Sequence, residues 1–444
     1  MRRSILAAVA WTVAACSVVA SPAGGPSPYP GGLGRPTPEV EAERGVRIRR
    51  GEWELPTALF RFPEVRGLWV VRTTMTSRER IRRMVVAADQ AGFNTLIVQV
   101  RGRADAFYRS RWEPLADQVQ GGGDFDPLAY TIQEAHARGM GVHAWVNTHL
   151  VANGAGLPRD PAHMVNAHPD WLAVPRSLGR ELYAQDPFQP EFVQALRSYA
   201  QRNSETVEGI YSSPSHPQVK ERVYDVWMDL AERYELDGIH FDYIRFPSGD
   251  FDYSLGALER FRLWVRPRLS PGRWQELDEA YARNPYAFVE TLAGPWGEFR
   301  RAQITDLVER IYHGIKVRRP DMVVSAAVFA NADDAYAHRF QDWRMWLEQG
   351  ILDVAVPMAY TPENGVFQSQ VREATVSAAL RERVWAGVGA YQNTVSGTLD
   401  KIEIARREGV GGVVLFSYDW AAGQSGPAGG SYLQRIGRSA FSRD

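Results

Sequence analysis

The sequence predicts an α/β protein: a (β/α)8 TIM barrel with long insertions after its third and fourth strands. Three observations carry the prediction. Eight short apolar runs alternate with helical stretches across residues 65–441, the pattern of parallel strands joined by helical crossovers. The clearest of these runs, residues 95–100, is continuously β-branched and aliphatic apart from one Gln, as strands buried on both faces are. The first strand leads into Arg72-Thr73-Thr74-Met75, which is not the glycine-rich phosphate turn of an open dinucleotide-binding sheet.

Residues 1–20 stand apart from the fold. Arg2 and Arg3 precede an apolar run over residues 5–15, a secretory signal too short to span a bilayer. Two cleavage readings compete. Val13-Ala14-Ala15-Cys16 fits a lipobox that would make Cys16 a lipidated first residue, whereas Val18-Val19-Ala20 fits ordinary cleavage before Ser21. Cys16 is the only cysteine in the chain, which favours the lipobox and excludes disulfides and cysteine-based zinc sites from the folded part. Residues 21–60, rich in Pro and Gly over 21–38, read as a tether and lead-in. The expected location is outside the cytoplasm, either membrane-anchored through Cys16 or periplasmic or extracellular, with residues 61–444 forming the barrel.

The barrel begins with a strand at residues 65–71. Ser77 is placed to cap a helix over 78–90, which Ala91-Gly92 ends. The second strand, 95–100, opens into a loop holding Arg101, Arg103, Asp105 and Tyr108. Asp126-Pro127 starts a helix over 128–138, and the third strand, 141–146, is followed by Asn147 and His149. Residues 150–215 are polar and proline-broken, with a helix at 191–202 and no strand expected; a stretch of that length reads as an excursion over a functional face. An amphipathic helix over 219–234 leads into the fourth strand, 238–241. A second excursion, 248–295, carries helical pieces at 257–265 and 274–283. After it, helices over 297–318, 340–349, 370–381, 398–407 and 432–441 alternate with strands at 322–328, 352–356, 384–388 and 412–416.

A barrel of this kind carries its chemistry at the carboxyl ends of its strands. The polar groups there are Arg72; Gln99, Arg101 and Asp105; Asn147 and His149; Asp242, Tyr243 and Arg245; Asn331; Tyr360 and Glu363; Tyr391 and Gln392; and Ser417, Tyr418, Asp419 and Trp420. Carboxylates, amides and aromatics together are the inventory of a carbohydrate site. Lys plus Arg total 51 against 52 Asp plus Glu, a balance that points away from nucleic acid. Structural roles compete at each position. Asp242 has Arg245 as a ready ion-pair partner, Asp105 has Arg101 and Arg103, and Asp237 lies at the start of its strand, where residues serve stability. His143, His240, Trp69 and Trp145 fall within strands and suit core packing. No His or Asp spacing suggests a metal site, and no cofactor is expected.

The chain resembles the glycosyl hydrolase-like 10 family (the DUF187 group). The pieces that carry the likeness are Arg66-Gly67-Leu68-Trp69, residues 94–101 with Asp105-Ala106-Phe107-Tyr108, Phe125-Asp126-Pro127-Leu128, residues 134–140, Val142-His143-Ala144-Trp145-Val146-Asn147 and Asp237-Gly238-Ile239-His240-Phe241-Asp242-Tyr243. The resemblance implies an exported barrel enzyme that hydrolyses glycosidic bonds. Some members resemble hydrolases of peptidoglycan glycan strands that lack stem peptides. Two departures stand out: Asp242-Tyr243 where many members have Asp-Asp-Tyr, and Pro357-Met358-Ala359-Tyr360 where the family often has Pro-Gln-x-Tyr.

The expected chemistry is two-carboxylate glycoside hydrolysis. Asp242 is one carboxylate, as nucleophile or as acid/base, and its partner is Asp105, or else Asp419 or Glu363. Arg245 is expected to lower the pKa of Asp242 and leave the acid role to that partner. Arg101, Asn147, His149, Tyr243, Arg245, Tyr360 and Trp420 are expected to bind the glycan. The rival readings are a non-catalytic glycan-binding barrel and a deacetylase, the second wanting an Asp/His metal set that the sequence lacks.

Overall fold

A computed structural model of the chain describes residues 61–375, 378–424 and 431–441; the expected leader, tether and Cys16 lie outside the described residues. Eight strands form the barrel: β1 (Val65–Val70), β2 (Thr95–Arg101), β3 (Gly141–Asn147), β4 (Gly238–Asp242), β5 (Val323–Val328), β6 (Val354–Pro357), β7 (Trp385–Gly389) and β8 (Gly412–Phe416). All pair in parallel, in the order β6-β5-β4-β3-β2-β1-β8-β7. Isolated parallel bridges, Ala355 to Val384 and Met358 to Gly387, close the seam between β6 and β7. Every expected strand is present within two residues of its predicted start.

Alternating side chains of these strands fill two separate cores, as period-two geometry requires. Val65, Trp69, Ile97, Trp145, Val323, Val354, Trp385 and Val414 pack inside the barrel. Leu68, Leu96, Val98, Ile239 and Phe241 point outward to the helices. Helix starts follow the expected capping chemistry. Ser77 accepts from the Arg80 N–H, and Asp126 from the Ala129 N–H ahead of a helix that begins at Pro127.

Three expectations are corrected. The helix predicted over 340–349 is the shorter Trp343–Glu348, and a separate helix, Ala332–His338, precedes it. Phe340 between them has φ +56°, a conformation that no helix can continue through. The helix predicted over 370–381 is Asn364–Ala374, followed by a 3-10 turn. The first excursion does contain strands: Leu150–Asn153 pairs antiparallel with Gly209–Tyr211. Each of the two is at most four residues long, too short for alternation to mark. The second excursion packs Tyr253, Phe261 and Phe288 with Trp296 of the helix that follows into a core of its own. The Tyr286 hydroxyl donates to the Arg176 carbonyl at 2.8 Å, and Arg176 pairs with Glu290 at 3.0 Å, so the two excursions brace each other.

Candidate active site

The pairing of β3 with β4 sets Asn147 opposite Asp242 at the carboxyl end of the barrel. A continuous run of hydrogen bonds crosses four strand ends there. Arg72 Nη1 donates to Gln99 Oε1 (2.9 Å), and Gln99 Nε2 donates to Asn147 Oδ1 (3.2 Å). The indole N–H of Trp145 is shared between Asn147 Oδ1 (2.8 Å) and Asp242 Oδ2 (3.0 Å). Asp242 Oδ1 accepts from the Tyr243 backbone N–H at 2.7 Å and from Arg245 at 3.3 Å.

Asp242 is 7% exposed. Burial pushes its carboxyl pKa up, and outweighs Arg245, the Tyr243 N–H and Trp145, all of which favour the charged form. The expectation that Arg245 leaves Asp242 with a lowered pKa is therefore corrected. Arg245 spreads its charge over two carboxylates: its second nitrogen lies 3.3 Å from Glu208 Oε1. Glu208 Oε2 accepts from the Tyr211 hydroxyl at 2.5 Å, and its side chain is 33% exposed. Sequence reading passed over Glu208, which comes from the excursion after β3. The available signal was the short apolar run Gly209-Ile210-Tyr211 that follows it.

Aromatic rings lie beside Asp242 and on the neighbouring strand ends. Tyr243 has φ +51°, uncommon for a bulky residue and of the kind that collects at functional sites. The Arg245 guanidinium lies 4.2 Å from its ring centroid. Tyr360, within electrostatic reach of Asp242, stacks on the part-exposed Phe416 at 5.5 Å between centroids. Tyr391 meets Phe416 edge-on at 6.2 Å, and burial raises its pKa to about 12.

The other expected residues are held by partners of their own. Arg101 is 1% exposed and locked in an ion pair with Glu113 at 2.9 Å, while also donating to the Asn147 and Thr148 carbonyls. His149 is fully buried, 3.1 Å from the Ser212 hydroxyl, with a pKa driven down to about 3 by burial, Arg101 and Lys220. Asn147 is held on both sides of its amide: Oδ1 as above, and Nδ2 donating to the Gly102 carbonyl at 2.8 Å. Asp419 accepts from the Val71 N–H and the Thr73 and Thr74 hydroxyls at 2.7–2.9 Å, which ties the end of β8 to the end of β1. Glu363 is exposed at the start of Asn364–Ala374, with Lys401 of the outer helix Val395–Glu408 as its charged neighbour. Trp420 packs edge-on against Tyr432 of the closing helix. Asp105 sits beside Arg103 and caps its backbone N–H at 2.8 Å. Among the described residues, no group of three or more His, Cys, Asp or Glu side chains is placed to hold a metal ion.

Barrels that cleave glycosidic bonds gather paired carboxylates and aromatic faces at this end of the sheet, and that is the class which fold and site define. The chain belongs to the glycosyl hydrolase-like 10 family, which matches residues 64–202 and 193–396; it is a glycoside hydrolase. It is 25% identical over 425 residues to Glycosyl hydrolase DigH of Escherichia coli (strain K12), covering 88% of this chain and 83% of that protein. It is 23% identical over 339 residues to Glycosyl hydrolase YngK of Bacillus subtilis (strain 168), covering 71% of this chain and 54% of that one. Among solved structures, the PgaB (BpsB) glycoside hydrolase domain from Bordetella bronchiseptica shares the fold. The TM-score is 0.55 at 15% identity, over 81% of this chain and 96% of the domain. The GH42 β-galactosidase Gan42B from G. stearothermophilus does so with a TM-score of 0.54 at 13% identity, over 86% of this chain and 57% of that one.

Proposed function

We propose that the protein is an exported hydrolase of cell-envelope polysaccharide, cutting peptidoglycan glycan strands that lack stem peptides, with Asp242 and Glu208 as its two carboxylates. The observation that carries this reading is the shared guanidinium of Arg245, 3.3 Å from both carboxyl groups beside Tyr243. Asp242 is the acid. Its buried carboxyl, held toward the protonated form, donates to the glycosidic oxygen as the bond to the leaving sugar breaks. Glu208, reachable from solvent and positioned by Tyr211 and Arg245, either adds to the anomeric carbon or takes a proton from the attacking water. Carboxyl separations of about 5 Å and about 6.5–9.5 Å distinguish those two courses, retention and inversion. Tyr360 and Phe416 offer flat apolar faces to the sugar rings.

The substrate is tested by mass spectrometry of products from a panel of glycans that includes peptide-free peptidoglycan strands. Release of shorter strands from these substrates supports the reading, and release only from another polysaccharide overturns the substrate. Export is supported by the basic and apolar leader, and lipid anchoring by Cys16. A Cys16→Ala variant should leave the membrane fraction; one that stays there refutes the anchor.

A further inference from the structure

Two guanidinium groups on the β1–β2 side of the barrel mouth are in no ion pair among the described residues, and the carboxylate nearest in effect, Asp105, acts on Arg103 without pairing with it. Among the described residues the ion pairs at the mouth are Arg101 with Glu113, and Arg245 with Asp242 and Glu208; Arg72 and Arg103 are in none. Arg72 leaves the end of β1 and lies across Gly102, where any Cβ would collide with its Cδ and Nε. Gln99 holds its outer nitrogen at 2.9 Å. Arg103 follows one residue after that glycine, and its buried Nε has no hydrogen-bond partner.

The neighbouring carboxylate, Asp105, answers this need only in part: its Oδ1 accepts from the Arg103 backbone N–H at 2.8 Å, and its pull on the guanidinium is outweighed by burial and by Arg72. Burial and the nearby charge of Arg72 push the Arg103 guanidinium down to about 10, with Asp105 and Tyr243 opposing. Two like charges are thus held close together in a half-buried place, an arrangement that a bound anion relieves. The spot is also joined to the chemistry. Tyr243, next to Asp242, faces Arg103 electrostatically, and the run Arg72–Gln99–Asn147–Trp145–Asp242 fixes Arg72 relative to the acid.

We propose that Arg72 and Arg103 form a subsite for a sugar carboxylate, so that the enzyme cuts an acidic glycan beside a carboxylate-bearing residue. The inference rests on Asp242 marking the cleavage point. Planar guanidinium groups pair with carboxylates through two parallel hydrogen bonds, and two of them can clamp one anion. The carboxylate has two possible sources: the lactyl ether group of a peptide-free peptidoglycan strand, or a uronic acid. A stem peptide converts the lactyl carboxylate to an uncharged amide, so this subsite would itself select strands without peptides.

The test compares kcat/KM on each acidic strand with that on the same strand after its carboxylates are converted to methylamides or reduced. The acidic form should be preferred by wild type, and the acidic-to-neutral ratio should fall on the order of 10- to 100-fold in Arg103→Gln and in Arg72→Gln, the range for lost charge-assisted hydrogen bonds. Gly102→Ala, which displaces the flexible end of Arg72 and leaves its charge, should lower the ratio less. The strand type that shows the preference identifies the source. Should either Arg variant fail to fold, binding of acidic and neutral strands to Asp242→Asn is read by calorimetry at rising salt, and only the acidic strand should weaken. A wild-type ratio near one, a ratio kept in both Arg variants, or salt-independent binding overturns the subsite. Loss of hydrolysis on every strand, with charge-selective binding intact, instead overturns the assigned cleavage and leaves the subsite standing.

Discussion

Asp237 and Asp242 bracket one strand, β4, and their surroundings push the two carboxyl groups in opposite directions. Burial would raise Asp237, but the Val142 N–H at 2.8 Å and the His136 ring, also at 2.8 Å, outweigh it and hold the carboxyl below its usual range. Arg61 adds an ion pair at 3.0 Å. At the other end, burial of Asp242 prevails over its donors and the carboxyl is raised. The strand's amino end spends its carboxylate on joining a helix and two strands. Its carboxyl end holds a buried carboxyl above its usual range at the mouth of the barrel. That division is the general one in barrels, with stability at one face and chemistry at the other.

The largest effect that separates the two ends is on turnover. Asp242→Asn should cost roughly 10³-fold in kcat, within the range for a lost proton-transfer group, whereas Asp237→Asn should leave kcat within a few-fold of wild type. Next comes the choice of partner. Glu208→Gln should lower kcat by roughly 10²-fold or more, and Asp105→Asn by clearly less; the reverse order in steady-state kinetics would restore Asp105 as partner. A smaller effect concerns the pH profile. The acid role proposed for Asp242 would be lost as pH rises through its raised pKa, which would set the alkaline limb. Trp145→Phe removes a donor that favours the charged form, so the limb should move to higher pH, by at most about one unit for one hydrogen bond.

The smallest effect is on stability and lies at the opposite end of β4. Asp237→Asn should destabilise the fold by about 1–2 kcal/mol through its lost partners, read as a shift in thermal midpoint at neutral pH. A carboxyl whose folded pKa is depressed stabilises above its unfolded value, near 3.9, and loses that contribution as pH falls through the folded one. The gap between wild type and Asp237→Asn should therefore shrink in acid.

The barrel was legible because each strand is an apolar run that a two-sided burial demands, and because capping residues such as Ser77 and Asp126 mark helix starts. Asp242 was legible for the same reason: a carboxylate directly after such a run stands at the mouth. Arg101 was misread because β2 is irregular between Gln99 and Arg101. A bulge re-aims the side chains that follow it, and counting alternation along the sequence does not reveal one. Glu208 was missed for a different reason. Only the antiparallel pairing of Gly209–Tyr211 with Leu150–Asn153 brings it to Arg245, and strands that short leave no periodicity to read. Asp419 and Trp420 follow a strand end as Asp242 does, yet turn toward β1 and the closing helix. Position after a strand places a residue at the mouth without fixing where its side chain points.

The most direct test of the account is the rate at which new reducing ends appear when wild type, Asp242→Asn and Asp237→Asn are given the same peptide-free glycan strands. The predicted result is release by wild type and Asp237→Asn, with none above background from an Asp242→Asn protein that still binds the strand. Release by Asp242→Asn at the wild-type rate would contradict the assignment of Asp242 as the acid.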